Sequence, residues 1–223
     1  MTRSDASPLG ILGGSFDPVH LGHIRIAQQV LAGFSLPAVQ MLLAPQPPHK
    51  ARTGLSPVSD RLAMLTLAVA DHPELSICTY EVDRGGVCYT IDSLRALRDA
   101  TPACHPVFIM GVDSLEELPS WRNYPDLITE FDLIVVARFR TSLAALRSRL
   151  DPAVENRLVR HLPPDQPLGT GGRILYFTIE PIQISSSAIR EIVAAGGDPA
   201  GLVSPAVARY IRDNELYYRE ETH

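Results

Sequence analysis

Short, continuously apolar runs alternate with stretches whose apolar residues recur every three or four positions, and this alternation runs along nearly the whole chain. Residues 9–12 are apolar without a break and predict a buried strand. Ile24, Ala27, Leu31 and Phe34 then fall at i, i+3, i+7 and i+10, one stripe of a helix. Residues 38–44 (AVQMLLA) predict a second strand. The stretch PQPPHKARTGLSP that follows is too polar and too proline-broken for regular structure, and it is long enough to suggest a functional loop.

Residues 58–70 return to helical spacing, with Leu62, Leu65 and Val69 on one side, and residues 75–82 read as strand. After DRGGV, residues 91–99 predict a helix. Residues 107–110 and 133–137 are short, strongly apolar and β-branched, as strands buried on both faces should be. Between them GVDSLEELPSWRNYPDL reads as loop with helical pieces. Residues 141–161 predict a helix broken near Asp151-Pro152, and residues 173–178 a strand. A helix from ISSS to Ala195 stops at Gly196-Gly197, and Ser204 with Pro205 opens a last helix.

Strands alternating with helices imply an α/β fold, a doubly wound, mostly parallel sheet joined by right-handed crossovers. At 223 residues one domain is expected over 1–223, with residues from about 185 onward forming a C-terminal helical subregion. In such folds ligands bind beyond the carboxyl ends of the strands, where strand order reverses. The loops expected at that end are those rich in Gly, His, Ser and Trp.

Charge narrows the partners. The formal net charge is −5 and no basic run occurs, which argues against bulk nucleic acid or an anionic membrane surface and leaves a small anionic ligand. The first ten residues lack the apolar core of a secretory signal and no run of 18 apolar residues appears, so a cytoplasmic protein is expected. Cys78, Cys88 and Cys104 are odd in number without CxxC spacing, which suits free thiols. Lys50 is the only lysine among 20 basic residues, and it stands beside His49 in the proline-stiffened loop.

The stretch GGSFDPVHLGH, residues 13–23, carries the sharpest chemistry. Gly13 and Gly14 let backbone approach a ligand, and the helix that follows offers N–H donors and a positive dipole end, together an anion site. His20 and His23 are three apart and share a face of the first helical turn if the helix starts near residue 19 or 20. The same residues also suit an ordinary turn in which Asp17 caps the helix and Pro18 takes its first position. A zinc site is weaker still, because no third ligand has matching spacing.

GGSFDPVHLGH resembles the GGTFDPxHxGH signature of the HxGH nucleotidyltransferases, and ISSSAIR, residues 184–190, resembles their second signature, ISSTxIR. Together with PPHK at 47–50, the stretch from Glu81 to Leu94 ending CYTIDSL, GVDSLEELPSW at 111–121 and VARYIRDNELY near the end, the set is similar to one branch, the bacterial nicotinate-nucleotide adenylyltransferases. Ser15 and Ser187 stand where that family usually has Thr, and Cys88 where it has Ser.

The resemblance implies a Rossmann-like fold and transfer of the adenylyl group of ATP to nicotinate mononucleotide, giving deamido-NAD and pyrophosphate by direct in-line attack with no covalent intermediate. A phosphate is already a nucleophile, so the enzyme supplies positioning and charge compensation. By resemblance His20, His23, Lys50 and Arg190 are the catalytic candidates. ATP would be held by Gly13, Gly14, Ser15, His20, His23, His49, Gly111, Asp113, Ser186, Ser187 and Arg190. Nicotinate mononucleotide would be held by Ser15, Tyr89, Thr90, Ile91, Trp121 and Arg122, with the indole stacked on the pyridine ring. Magnesium is expected to arrive with ATP rather than to occupy a carboxylate cage.

The alternatives are another adenylyltransferase of the superfamily, acting on nicotinamide mononucleotide or pantetheine phosphate, and a nucleotide-binding regulator without catalysis. An aminoacyl-tRNA synthetase is disfavoured, since a single lysine leaves no KMSKS-type loop.

Overall fold

The apolar runs form strands buried from both sides, and their alternating side chains separate into two cores. The computed structural model describes residues 7–46, 54–138, 142–162, 167–180 and 183–218. Strand β1 (Ser7–Gly14) leads through helix α1 (Leu21–Phe34) to β2 (Val39–Leu43), and α2 (Val58–Val69) leads to β3 (Leu75–Cys78). Two helices, α3 (Tyr80–Arg84) and α4 (Thr90–Ala100), return the chain to β4 (Cys104–Gly111). Then come α5 (Val112–Glu117), α6 (Tyr124–Glu130), β5 (Asp132–Arg138), α7 (Leu143–Arg147), α8 (Pro152–Glu155), β6 (Leu158–Val159), β7 (Ile174–Ile179), α9 (Ser186–Ala194) and α10 (Pro205–Asp213).

Among the described residues the strands make one sheet in the order β3-β2-β1-β4-β5-β7-β6, with every pairing parallel. Leu12, Ile109, Ile134 and Leu175 point into a core closed by α1, α2, α9 and α10. Their neighbours Ile11, Phe108, Leu133 and Ile174 point into the opposite core, closed by α4, α5 and α6. The chain winds outward from β1 to β3 and then restarts at β4 on the other side of β1, so strand order reverses between β1 and β4.

Most predicted elements appear near their expected places, and three differ for identifiable reasons. The strand predicted over 75–82 stops at Cys78, and Glu81 faces inward from a helix of five residues that ends at Gly85, φ 70°. The helix predicted over 141–161 is instead α7, α8 and the two-residue β6. Ser142 caps the first helix, and Asp151 with Pro152 restarts the second. Pairing with β7 makes residues 158–159 strand, a long-range effect that no local period reports. In α2 the buried stripe is Arg61, Met64, Leu65 and Ala68, rotated from the predicted one so that a cation lies on the inner face.

Two polar clusters lock the frame. Asp132, fully buried, accepts from Arg173 Nε at 3.0 Å and Nη2 at 2.6 Å and from the backbone N–H groups of Arg173 and Gly169. Arg95 pairs with Glu130 and with Asp126, and Arg98 with Glu130 at 2.9 Å, which holds α4 to α6 beside the loop of Trp121.

Candidate functional site

At the carboxyl ends of β1 and β4 two clefts share a wall made of Leu12, Ile26, Ile109, Met110 and Gly111. The first, about 300 Å³, is bordered by Gly13, Gly14, Ser15 and His23 on one side and by Tyr89, Thr90, Trp121 and Arg122 on the other. The second, about 570 Å³, is bordered by His20, Asp113, Ile179 and Ile184. The pair straddles the point where strand order reverses, as expected for a ligand of two joined parts.

The turn after β1 is built by packing. Gly13 and Gly14 end the strand rather than follow it, and Gly14 leaves no room for a side chain while Gly13 leaves little. A Cβ on Gly14 would sit 2.9 Å from the Phe16 ring, and one on Gly13 would sit 3.1 Å from the ring of Phe108. Phe16 itself is buried in the left-handed region at φ 46°, a strain of about 1–3 kcal/mol that the packed ring compensates. The sequence offered Asp17 as helix cap, but the N-cap of α1 is His20.

Capping geometry orients both histidines. The His20 N–H donates to His23 Nδ1 at 3.2 Å, and the His23 N–H donates to the His20 carbonyl at 2.9 Å. Acceptance at Nδ1 puts the proton of the neutral His23 ring on Nε2. The two rings stack with centroids 3.7 Å apart, and Phe16 meets His23 edge-on at 5.0 Å. His20 is 7% exposed, and burial holds its pKa down to about 4, against a weaker opposing effect of its backbone hydrogen bond. It is therefore a neutral imidazole at physiological pH.

Burial of His20 has a measurable consequence. The unfolded chain protonates it below its ordinary pKa of 6.5, while the folded ring resists until about pH 4. Across that window the unfolded state binds the extra proton, so stability rises with pH and is lost as pH falls from 6.5 toward 4. Between pH 7 and 4 the wild type should lose about 3 kcal/mol more than His20→Asn in urea midpoints. Equal pH slopes would mean that the ring is solvated.

The second signature segment docks directly on the first. Ser186 Oγ donates to the Pro18 carbonyl at 2.9 Å, and Arg190 Nη1 donates to the Asp17 carbonyl at 2.6 Å. Ser185 caps α9 by accepting from the Ala188 N–H, and Ser187 Oγ accepts from Arg190 at 3.2 Å. Asp17, 1% exposed, accepts from Tyr217 Oη at 2.8 Å and lies 3.8 Å from Arg190 Nη1. Ser186, Ser187 and Arg190 border neither cleft but brace the turn between them.

In the first cleft the Trp121 ring packs edge-on to Phe108 at 6.2 Å, and the Arg122 guanidinium lies over the Tyr89 ring at 4.6 Å. Helix α4 begins at Thr90 with no capping side chain from Tyr89, which leaves its N-terminal dipole end at the cleft. The side chain of Ile91 lies in the core, so any contact from that position comes from its backbone. The Cys88 thiol donates to the Glu81 carbonyl at 3.7 Å, so a weak donor survives where the family usually has Ser. His49 and Lys50 lie outside the described residues.

Sequence reasoning missed two charged residues. Glu81 is buried at the cleft wall, accepts from Ser93 Oγ at 2.7 Å, and has its pKa raised by that burial. Arg61, 1% exposed, spends its guanidinium on four backbone carbonyls. An arginine at i of an i, i+3, i+4, i+7 apolar stripe was the available signal for the second; residues 75–82 read as strand hid the first.

Known proteins resemble this chain in sequence and in fold. The cytidylyltransferase-like family profile matches residues 11–192. A probable nicotinate-nucleotide adenylyltransferase of Symbiobacterium thermophilum is 38% identical over 215 residues, 96% of this chain and 97% of that protein. One from Geobacter sulfurreducens is 36% identical over 93% of this chain and 97% of its own. Among solved structures, nicotinic acid mononucleotide adenylyltransferase of Plasmodium falciparum complexed with NaAD superposes with a TM-score of 0.71 at 18% identity, covering 95% of this chain and 97% of that one. Among the described residues no helix is long and apolar enough to cross a membrane.

Proposed function

The chain belongs to the cytidylyltransferase-like family and, within it, to the nicotinate-nucleotide adenylyltransferases, and from that premise we propose how its residues divide the reaction. It joins nicotinate mononucleotide to the AMP part of ATP and releases pyrophosphate, a step of NAD biosynthesis. The observation that carries this reading is the meeting of the two signature segments, Ser186 on Pro18 and Arg190 on Asp17, at the turn between two clefts that share one wall.

The 5′-phosphate of the mononucleotide attacks the α-phosphorus of ATP, one P–O bond forms, and the bond to the pyrophosphate oxygen breaks. His23, with its proton on Nε2, donates to an α-phosphoryl oxygen as charge builds there. His20, neutral and stacked on His23, keeps that ring in place and offers its own donor to the triphosphate without a second full charge. Gly14 and Ser15 supply backbone close to the phosphates. Asp113 at the rim of the larger cleft suits the hydroxyls of a ribose, and the isoleucines behind it suit a flat purine.

The smaller cleft suits the nicotinate end. Trp121 offers an indole face to the pyridine ring, and backbone N–H groups at the start of α4 and at Trp121-Arg122 favour a carboxylate over an uncharged carboxamide. Ser186, Ser187 and Arg190 brace the turn that meets the phosphates, with Arg190 adding a positive charge behind it, and Lys50 with His49 answer the charge of the β- and γ-phosphates.

We propose that magnesium arrives on the triphosphate. No three His, Cys, Asp or Glu side chains cluster among the described residues; the buried Asp17 accepts from Tyr217 through Oδ1, and its Oδ2 lies 3.8 Å from Arg190 Nη1 without a hydrogen bond. Bound with ATP, the ion offsets phosphate charge. Incubation with ATP, magnesium and nicotinate mononucleotide should release pyrophosphate, faster than with nicotinamide mononucleotide or pantetheine phosphate. ATP binding without pyrophosphate release from any acceptor would sink the catalytic reading.

A further inference from the structure

We propose that Arg61 is a positioning residue for adenylyl transfer, tying the turn at Ser15 to both ends of the segment that carries His49 and Lys50. This rests on the functional reading above. Arg61 Nη1 donates to the carbonyls of Ser15 at 2.9 Å and Ala44 at 2.8 Å, Nη2 to Pro45 at 2.8 Å, and Nε to Ser56 at 3.0 Å. One rigid fork therefore joins the residue after β1, the two residues after β2, and Ser56 just ahead of α2.

Arg61 shares the inner stripe of α2 with Met64, Leu65 and Ala68, where an apolar side chain of similar volume would avoid the desolvation of a buried cation. Burial works against its charge, and the carboxylate of Asp17, itself held by Tyr217 and facing Arg190, works for it. The same guanidinium thus stands behind the phosphate-contacting turn and next to the ion pair that joins the two signature segments.

The geometry divides the expected effects. Ser15 borders the cleft, so a shift of its carbonyl moves the backbone that meets the reacting phosphates. The Trp121 and Tyr89 walls pack in the core closed by α4, α5 and α6, whereas Arg61 lies on the stripe of α2 that faces the opposite core. A lysine at position 61 keeps the charge but cannot span four carbonyls.

The experiment compares wild type, Arg61→Lys and Met64→Ala, measuring pyrophosphate release, both KM values and thermal melting. Arg61→Lys should lower kcat about 10- to 100-fold while the KM for nicotinate mononucleotide stays within about 2-fold. Met64→Ala, a cavity one turn along the same stripe, should lower the melting temperature and leave kcat near wild type. A folded Arg61→Lys with wild-type kcat overturns the proposal, and so does an equal kcat loss in Met64→Ala. Should Arg61→Lys not fold, the double variant Pro45→Gly, Ser56→Gly keeps Arg61 and loosens only the anchored ends; an unchanged kcat there overturns the proposal. A wild-type protein that releases no pyrophosphate overturns the functional reading and this proposal with it, whereas an active wild type with unaffected variants overturns the proposal alone.

Discussion

Replacing His23 by alanine is expected to lower kcat by about 10²- to 10³-fold while changing the affinity for ATP only a few-fold. The ring is held on three sides before any ligand arrives: Nδ1 takes the His20 N–H at 3.2 Å, the face stacks on His20, and Phe16 meets it edge-on. Its remaining ring nitrogen is the one that carries the proton. A donor fixed in this way needs no reorganisation when charge builds on the α-phosphoryl oxygens, which is where preorganised hydrogen bonds lower a barrier most. In the proposed assignment the ground-state triphosphate is shared among many contacts, so its binding should depend little on one imidazole. Stopped-flow or steady-state pyrophosphate release, set beside ATP binding by calorimetry, separates the two quantities. A matching loss in binding and turnover would reassign His23 to ground-state binding.

Trp121→Ala should raise the KM for nicotinate mononucleotide about 10- to 100-fold and leave the KM for ATP nearly unchanged, since an aromatic stack on one ring contributes about 1–3 kcal/mol. The indole is supported from behind by Phe108 of β4 and stands opposite the α4 start in the smaller cleft. It does not border the larger cleft, where His20 and Asp113 lie. Trp121→Phe keeps an aromatic face and should recover most of the affinity. A variant that weakens ATP instead would exchange the assignment of the two clefts.

Much of this was legible along the chain. Continuous apolar runs predicted the central strands because a parallel sheet buries both faces, and β4 and β5 appear where the composition demanded them. The stripe of Ile24, Ala27 and Leu31 is buried in α1, and Ser204 with Pro205 opens α10 with its hydroxyl on the Val207 N–H. Cap, period and turn chemistry act within a few residues, so they are readable without the rest of the molecule.

What escaped was set by distance in space. Residues 158–159 become strand only because β7 lies alongside, and Glu81 is turned inward by a five-residue helix that apolar patterning does not announce. Asp17 looked like a helix cap and is instead a buried carboxylate that accepts from Tyr217 and faces Arg190, residues 200 and 173 positions away. Arg61 read as one more charge on a helix, yet its fork closes on carbonyls from three separate stretches of backbone.

The order of residues alone thus settled the α/β class, the strand–helix alternation and, through the pair GGSFDPVHLGH and ISSSAIR, the family. Folding decided which nitrogen of His23 carries the proton, that His20 is neutral, that the ligand region is two clefts with a common wall, and that a buried arginine holds the turn. The reason is physical: motifs record which groups chemistry needs, whereas orientation, protonation and burial depend on atoms that meet only when distant segments pack.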